Sequence, residues 1–380
     1  MSISKHRTGL LSALVALAAT GIAAAGAAAP AGAATPHLAF SGAVGFGSGA
    51  TGGSGDTTYH VTTLADSGTG SFRDAVSKSG RIVVFNVGGY VKLASAVSVS
   101  SDITIEGNTA PGQGIGIEGR EVSFSGSKND IVRYIRFREG TLDPDTGKSG
   151  VNLLDSSDLI FDHVSIEFGQ WDDLDAVGAT DITIQNSIIA DPIGQQFGAH
   201  VETGPFTWYH DIFANSHNRN PLSKDDTQFI DNVLYDYQAG YTAGNSSGSF
   251  EHDVVDNYFI AGPATTDAAD AYFQMDNQSV YDSGNVLDGD KNGSLGGSTL
   301  GLGGGAKALS SPWASTTTAI ATQSAAKAYA YDVANAGDLP YDQVDSTVIA
   351  DVTSLGAKGA LLTSQTDTGL GNDGYGAITG

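Results

Sequence analysis

The stretch SDLIFDHVSIEFG, Ser157–Gly169, alternates apolar and polar side chains around an Asp-His pair and ends on glycine. Such a run reads as a short strand that buries one face, because successive side chains point to opposite sides of a strand. The pattern returns in TDITIQNSIIADP (Thr180–Pro192), PFTWYHDIFANS (Pro205–Ser216), DTQFIDNVLYDYQ (Asp226–Gln238), EHDVVDNYFIAGP (Glu251–Pro263) and SVYDSGNVLDGD (Ser279–Asp290), and NDIVRYIRFREG (Asn129–Gly140) precedes it. Aligned on Arg133, Asp162, Asn186, His210, Asp231, Asp256 and Gly284, the runs are spaced by 29, 24, 24, 21, 25 and 28 residues. A loose repeat of this length marks a solenoid, in which each unit buries its apolar face only against its neighbours. Leucine-rich repeats would need a regular leucine frame and helical repeats would need amphipathic helices, and neither is visible. Units with several short strands suit a parallel β-helix, whose variable spacing becomes loops of different length along a cleft. An antiparallel sandwich also has closely spaced short strands, but these runs lack hairpin dipeptides such as Asn-Gly between them.

The ends differ from the middle. Residues 1–33 read as an export signal: Lys5 and Arg7 precede the apolar run LLSALVALAATGIAAAGAAA, and Ala31-Gly32-Ala33 offers a cleavage site. Its wealth of Ala and Gly argues against a membrane anchor, so the mature chain is expected to be secreted, extracellular and free of membrane. DSGTGSFRDAVSKSG (Asp66–Gly80) predicts a short capping helix with Ser71 or Asp66 as N-cap. TQSAAKAYAYDVANAG (Thr322–Gly337) and YDQVDSTVIADVTSLG (Tyr341–Gly356) predict two more helices, and GGSTLGLGGGAKALSSP (Gly296–Pro312) a flexible link. The expected division is an all-β solenoid over 34–300 and an extension over 301–380 whose helices pack on the β-helix. Solenoids need such caps to hide their terminal edges.

The 380 residues hold 42 acidic against 18 basic side chains, a net charge of -24, and no cysteine. Disulfides, thiol catalysis and thiolate metal sites are therefore excluded. Nucleic acid is an unsuitable partner for so acidic a chain. An acidic polymer would be repelled too, unless metal ions or a local basic patch intervene.

Three features on the repeat frame could carry chemistry. Asp172, Asp173 and Asp175 crowd one loop, with Asp191 at the corresponding end of the next unit. Equivalent positions on stacked strands lie about 4.8 Å apart, so Asp172 or Asp173 could share a hard cation such as calcium with Asp191. Solvated turn aspartates would look the same. Six of the 16 Lys and Arg outside the signal fall between Arg120 and Lys148, where Arg133 and Arg136 read as ion-pair partners of nearby carboxylates. Arg219 and Lys224 in RNPLSK follow the strand WYHDIF.

The segments DITIEGNTAPGQGIGIEG, NDIVRYIRFREG, LIFDHVSIEF and RNPLSK, in this order, resemble the family 1 polysaccharide lyases, the pectate lyases, and in particular their secreted bacterial branch. The likeness runs from GAVGFGSGATGG near Gly42 to DQVDSTVIADV, nearly all of the mature chain. Asp162 and His163 stand at the family's Asp-His strand, and its Arg-x-Pro-x-x-Arg element matches at Arg219, Pro221 and Lys224, with lysine in the last place. The resemblance implies a right-handed parallel β-helix and calcium-assisted β-elimination on α-1,4-linked polygalacturonate by a monomer. It implies Arg219 as the base that takes the C5 proton, Lys224 as a contact to a substrate carboxylate, and Asp172, Asp173 and Asp191 as calcium ligands. Two positions depart from the pattern. Gln195 stands four residues beyond Asp191, where the family has a further carboxylate, and His200, nearest by position to the family's other active-site lysine, is the second expected substrate-binding residue beside Lys224.

Three other readings remain open: a lyase for another acidic polysaccharide, a hydrolase of polygalacturonase type using Asp172 and Asp173, and a non-catalytic adhesin or sugar-binding module. Against the hydrolase, its Gly-His-Gly and Arg-x-Lys strings do not occur here.

Overall fold

A computed structural model describes residues 37–55, 57–313 and 320–379. The expected signal over 1–33 lies outside the described residues. Three parallel sheets run along a β-helix, with the strands of each coil hydrogen-bonded to their equivalents one coil away. Long strands bend and serve two sheets. Within Ser157–Glu167, residues 157–162 pair with 180–185, whereas Ser165, Ile166 and Glu167 pair with Ile188, Ile189 and Ala190. At the bend His163 has φ 53°, and the same corner is turned by Tyr134, Asn186, His210, Asp231, Asp256 and Gly284, all with positive φ. Asn, Asp and Gly tolerate that conformation best, which is why they recur at the repeat positions. The repeat anchors Arg133 and Asp162 fall one residue short of the true corners Tyr134 and His163. Among the described residues all pairings are parallel except Val286–Asp288 with Ser298–Thr299, so the sandwich alternative falls.

Inside the tube, Phe124, Phe137, Phe161, Phe206, Trp208 and Phe213 belong to one continuous core. A buried polar ladder runs beside them. Asn232 Nδ2 donates to Asn257 Oδ1 at 3.0 Å and Asn257 Nδ2 to Asn285 Oδ1 at 2.9 Å, so each amide satisfies its neighbour in the next coil. At the N-terminal end the helix α1 (Phe72–Ala75), capped by Ser71, buries Phe72 and Ala75 over the first coils. It is shorter than the sequence suggests.

The helices α2 (Ala325–Asn335) and α3 (Gln343–Val352) lie along the third sheet, which holds Ile188–Ala190, Ile212–Ala214 and Val233–Tyr235, instead of covering the open end. There Tyr329, Ala336, Val348 and Val352 pack against Ile188, Ile212, Val233 and Tyr258. Arg136 and Arg138, fully buried, fasten the extension. Arg136 reaches Asp338 at 2.6 Å and Asp345 at 2.8 Å, while Arg138 reaches Glu167 and Asp345 at 2.9 Å. The stretch expected as a flexible link is ordered: Ser298–Thr299 and Lys307–Ala308 pair with Val286–Asp288 and Ser279–Ser283 and close the last coil's edge. Among the described residues no helix is long and apolar enough to cross a membrane.

Candidate functional site

The first sheet carries the strands Asp172–Gln185, Phe197–Tyr209 and Leu222–Ile230 in register, with Leu174, Ala176, Ala199 and Val201 facing the core. The intervening side chains Asp175, His200, Glu202 and Lys224 line the outer face. Register sets Asp175 beside His200, and Glu202 beside Lys224.

Above this face the loop before Leu222 descends onto the sheet. Gly198 permits the approach: a Cβ there would lie 2.5 Å from the Arg219 carbonyl oxygen. The backbone N–H groups of Gly198 and Ala199 donate to the carbonyls of Asn218 at 3.0 Å and Arg219 at 2.8 Å. Arg219, in the left-handed region at φ 62°, turns its side chain back over the sheet. Its guanidinium lies 4.0 Å over the Phe197 ring and donates from one terminal nitrogen to both Asp172 oxygens, at 2.9 and 3.0 Å.

Asp172, Asp175 and His200 bring ligand atoms within 4.8 Å of one another and could hold a divalent cation. Burial pushes the Asp172 carboxyl up to about 8 in spite of Arg219, and burial also raises Asp175. Burial and the nearby Arg219 charge drive His200 down to about 4, leaving a neutral imidazole at pH 7. Asp175 Oδ1 is buried with no hydrogen-bond partner, 3.6 Å from His200 Nδ1. A cation would satisfy that orphaned oxygen and stabilise the ionised carboxylates, so the donor set fits one.

The structure does not gather Asp172, Asp173 and Asp191 into one group. Asp173 is fully buried, its Oδ1 accepting from Gly169 N at 2.8 Å, and burial raises it well above the carboxylate range. Asp191 turns the corner toward the helical extension, accepts from Asn215 Nδ2 at 2.7 Å, and is pushed up by burial to about 7. The Gln195 departure lies in the loop beyond Asp191, where the Gln195 N–H donates to the Gln170 carbonyl. His200 sits beside Asp175 and Glu202, and Lys224 Nζ donates to Glu202 Oε1 at 2.7 Å.

The acidic run contains Asp175 without marking it as a ligand, and the motifs single out neither Glu202 nor Phe197. A signal for the first two exists. Asp175 and His200 are 25 residues apart, close to the coil spacing of that region, and Glu202 and Lys224 are 22 apart.

No family model matches the chain. It is 40% identical over 323 residues to a probable pectate lyase C of Neosartorya fischeri, covering 82% of this chain and 76% of that protein. It is 38% identical over 327 residues to a probable pectate lyase C of Aspergillus flavus, covering 83% and 77%. Among solved structures, a thermostable pectate lyase superposes with a TM-score of 0.58 at 15% identity, over 78% of this chain and 97% of that one, a likeness of fold. These relatives by sequence are fungal, which overturns the assignment to the secreted bacterial branch: the short motifs behind it carry no information about branch.

Proposed function

The chain belongs to the pectate lyase family, and from that premise we propose that it cleaves α-1,4-linked polygalacturonate by β-elimination, releasing unsaturated oligogalacturonides. The observation that carries this reading is the placement of Arg219, held between the Phe197 ring and Asp172 directly over a carboxylate-imidazole cluster.

Removing the C5 proton of a uronate builds enolate-like charge on its carboxylate, so the reaction needs positive charge at that carboxylate and a base at C5. Asp172 and Asp175, with His200 at ligand distance, would hold calcium. When bound, the ion supplies the Lewis-acid neutralisation of the uronate carboxylate. With two carboxylates in the set, calcium's preference for six or more oxygens leaves room for substrate oxygens. To take the C5 proton Arg219 must act as the neutral guanidine, so its side chain leaves Asp172 and gives its own proton to solvent first; the C5–H electron pair then forms the C4–C5 double bond and the glycosidic oxygen leaves C4, while Phe197 keeps the arginine stem in place. Lys224 contacts the polymer one coil further along. Asp173 and Asp191, assigned as ligands by resemblance, serve in this reading to hold the loop at Gly169 and the corner at Asn215.

Residues 1–33 are proposed to direct export, which suits an enzyme whose polymer cannot enter a cell. The decisive assay follows the absorbance of the unsaturated uronate end during incubation with polygalacturonate and calcium. A lyase produces that band, a hydrolase yields reducing ends without it, and a sugar-binding module yields neither. Another uronate polymer giving the band in place of polygalacturonate would reassign the substrate and keep the reaction.

A further inference from the structure

We propose that Glu202 makes the Lys224 end of the cleft a subsite for an uncharged, methyl-esterified uronate unit in preference to a free uronate. The inference rests on the lyase reading above and concerns which polymer that site accepts.

Both cations of the cleft are already paired within the chain. Arg219 is held by Asp172, and Lys224 by Glu202 at 2.7 Å. The same Glu202 oxygen lies 3.0 Å from His200 Nε2, so Glu202 is fixed from two sides. Its position follows from strand register, in which Glu202 and Lys224 are direct neighbours on adjacent coils. It is no chance meeting of two long side chains.

Beside this pair opens a cavity of about 570 Å³ lined by Glu202, Thr203, Lys224, Ser246, Ser247 and Phe250 among others. Its described lining contains no other charged side chain. A free uronate carboxylate entering there meets a lysine whose charge is already met and a carboxylate of its own sign. Like-charge juxtaposition of this kind rejects a ligand even where the attractive contacts are good. A methyl ester carries no such charge. Its methyl group suits the Phe250 ring, and its oxygens suit the hydroxyls of Thr203, Ser246 and Ser247. Charge neutralisation for the reacting unit would come from the cation that Asp172 and Asp175 would hold, while the Lys224 end reads the neighbouring unit by the absence of charge.

The test compares wild type with Glu202→Gln on galacturonans of matched length that are fully de-esterified or partly methyl-esterified, at fixed calcium. Wild type is expected to show the higher kcat/KM on the esterified polymer. Glu202→Gln is expected to raise kcat/KM on the de-esterified polymer about tenfold, chiefly through KM, and to reverse the preference with an unchanged unfolding midpoint. A wild-type preference for the de-esterified polymer, or an unaltered ratio in Glu202→Gln, would overturn the proposal. Calorimetric binding of trigalacturonate and its methyl ester gives an arm independent of turnover. If no polymer yields the unsaturated band, the lyase reading fails, and the ratio of these two affinities in wild type and variant still decides the role of Glu202.

Discussion

Asp162 and Asp172 are both buried aspartates facing an arginine, yet their surroundings drive them in opposite directions. Asp162 lies at the corner between the second and third sheets, beside a cavity of about 460 Å³. Arg133 Nε and a terminal nitrogen reach it at 2.9 and 2.8 Å, Gln185 at 2.8 Å and Asn186 at 2.9 Å. Burial pushes its carboxyl up, but His163, Asn186 and Arg133 outweigh burial and hold it at about 2. Asp172 has Arg219 alone, and burial wins, at about 8. The number of donors decides the outcome, as expected when desolvation competes with hydrogen bonding. A carboxylate whose every lone pair is spoken for is structural. One held by a single movable cation is able to exchange that partner for another.

The sharpest way to break this contrast is at Arg219. Arg219→Ala is expected to lower the elimination rate about a thousandfold with no loss in unfolding midpoint, measured by the unsaturated-product absorbance and a thermal melt. If the melt collapses instead, Arg219 belongs with the structural arginines. Arg138→Met should do the reverse, since it leaves Glu167 buried without a cation and Asp342 and Asp345 with Arg136 alone. A cost of about 3–5 kcal/mol in denaturant unfolding is expected, and activity should fall only as the folded fraction does.

A smaller effect is expected at Asp175. Asp175→Asn should raise the calcium needed for half-maximal rate by about tenfold, and an unchanged calcium titration would remove Asp175 from the ligand set.

Stability should also respond to pH in a defined direction. The carboxyls of Asp130, Asp191 and Asp231 stand at about 7, each raised chiefly by burial. Such groups hold protons in the folded state that the unfolded chain has already released, so the folded state loses ground as pH rises through their folded values. His200, His210 and His252, pushed down to about 4 by burial, oppose this below pH 6.5 but are neutral in both states above it. Between pH 6.5 and 8 only the carboxyls count, and the unfolding midpoint measured without calcium should fall. Least affected in rate should be His163→Ala at the corner: it removes one of the groups that hold Asp162 down, so it should cost about 1 kcal/mol in stability and leave the elimination rate unaltered. His163 stacks on Tyr134 at 4.7 Å and carries no load on the Arg219 side.

The coil spacing was legible because the corner conformation selects residue types: Asn186, Asp231, Asp256 and Gly284 advertise a left-handed residue in one dimension. The basic cluster was legible as ion pairs for the same local reason, and Arg133 does pair with Asp162 at 2.8 Å. The likeness to pectate lyases was legible in ordered motifs, whereas their branch was not. The Asp175–His200 and Glu202–Lys224 pairs needed the register to within one residue, and a repeat varying from 21 to 29 residues does not supply that. The sequence places α2 and α3 on the β-helix but not on a particular face, since their apolar sides fit either an open end or a flank. That choice is made by Arg136 and Arg138, whose carboxylate partners stand some 200 residues away.

The segment GAVGFGSGATGG lies across coils made from sequence far downstream. Val44 N donates to Gln185, Gly47 N to Thr183 and Phe46 N to Thr207. A Cβ at Gly47 would sit 2.0 Å from the Leu159 carbonyl oxygen, so the contact is too close for any other residue. The part of the tube that is synthesised first is therefore among the last that can be completed. The glycine-rich segment cannot complete its docking until Thr207 has been made. A fragment ending before that residue would carry a glycine-rich tail with nowhere to dock.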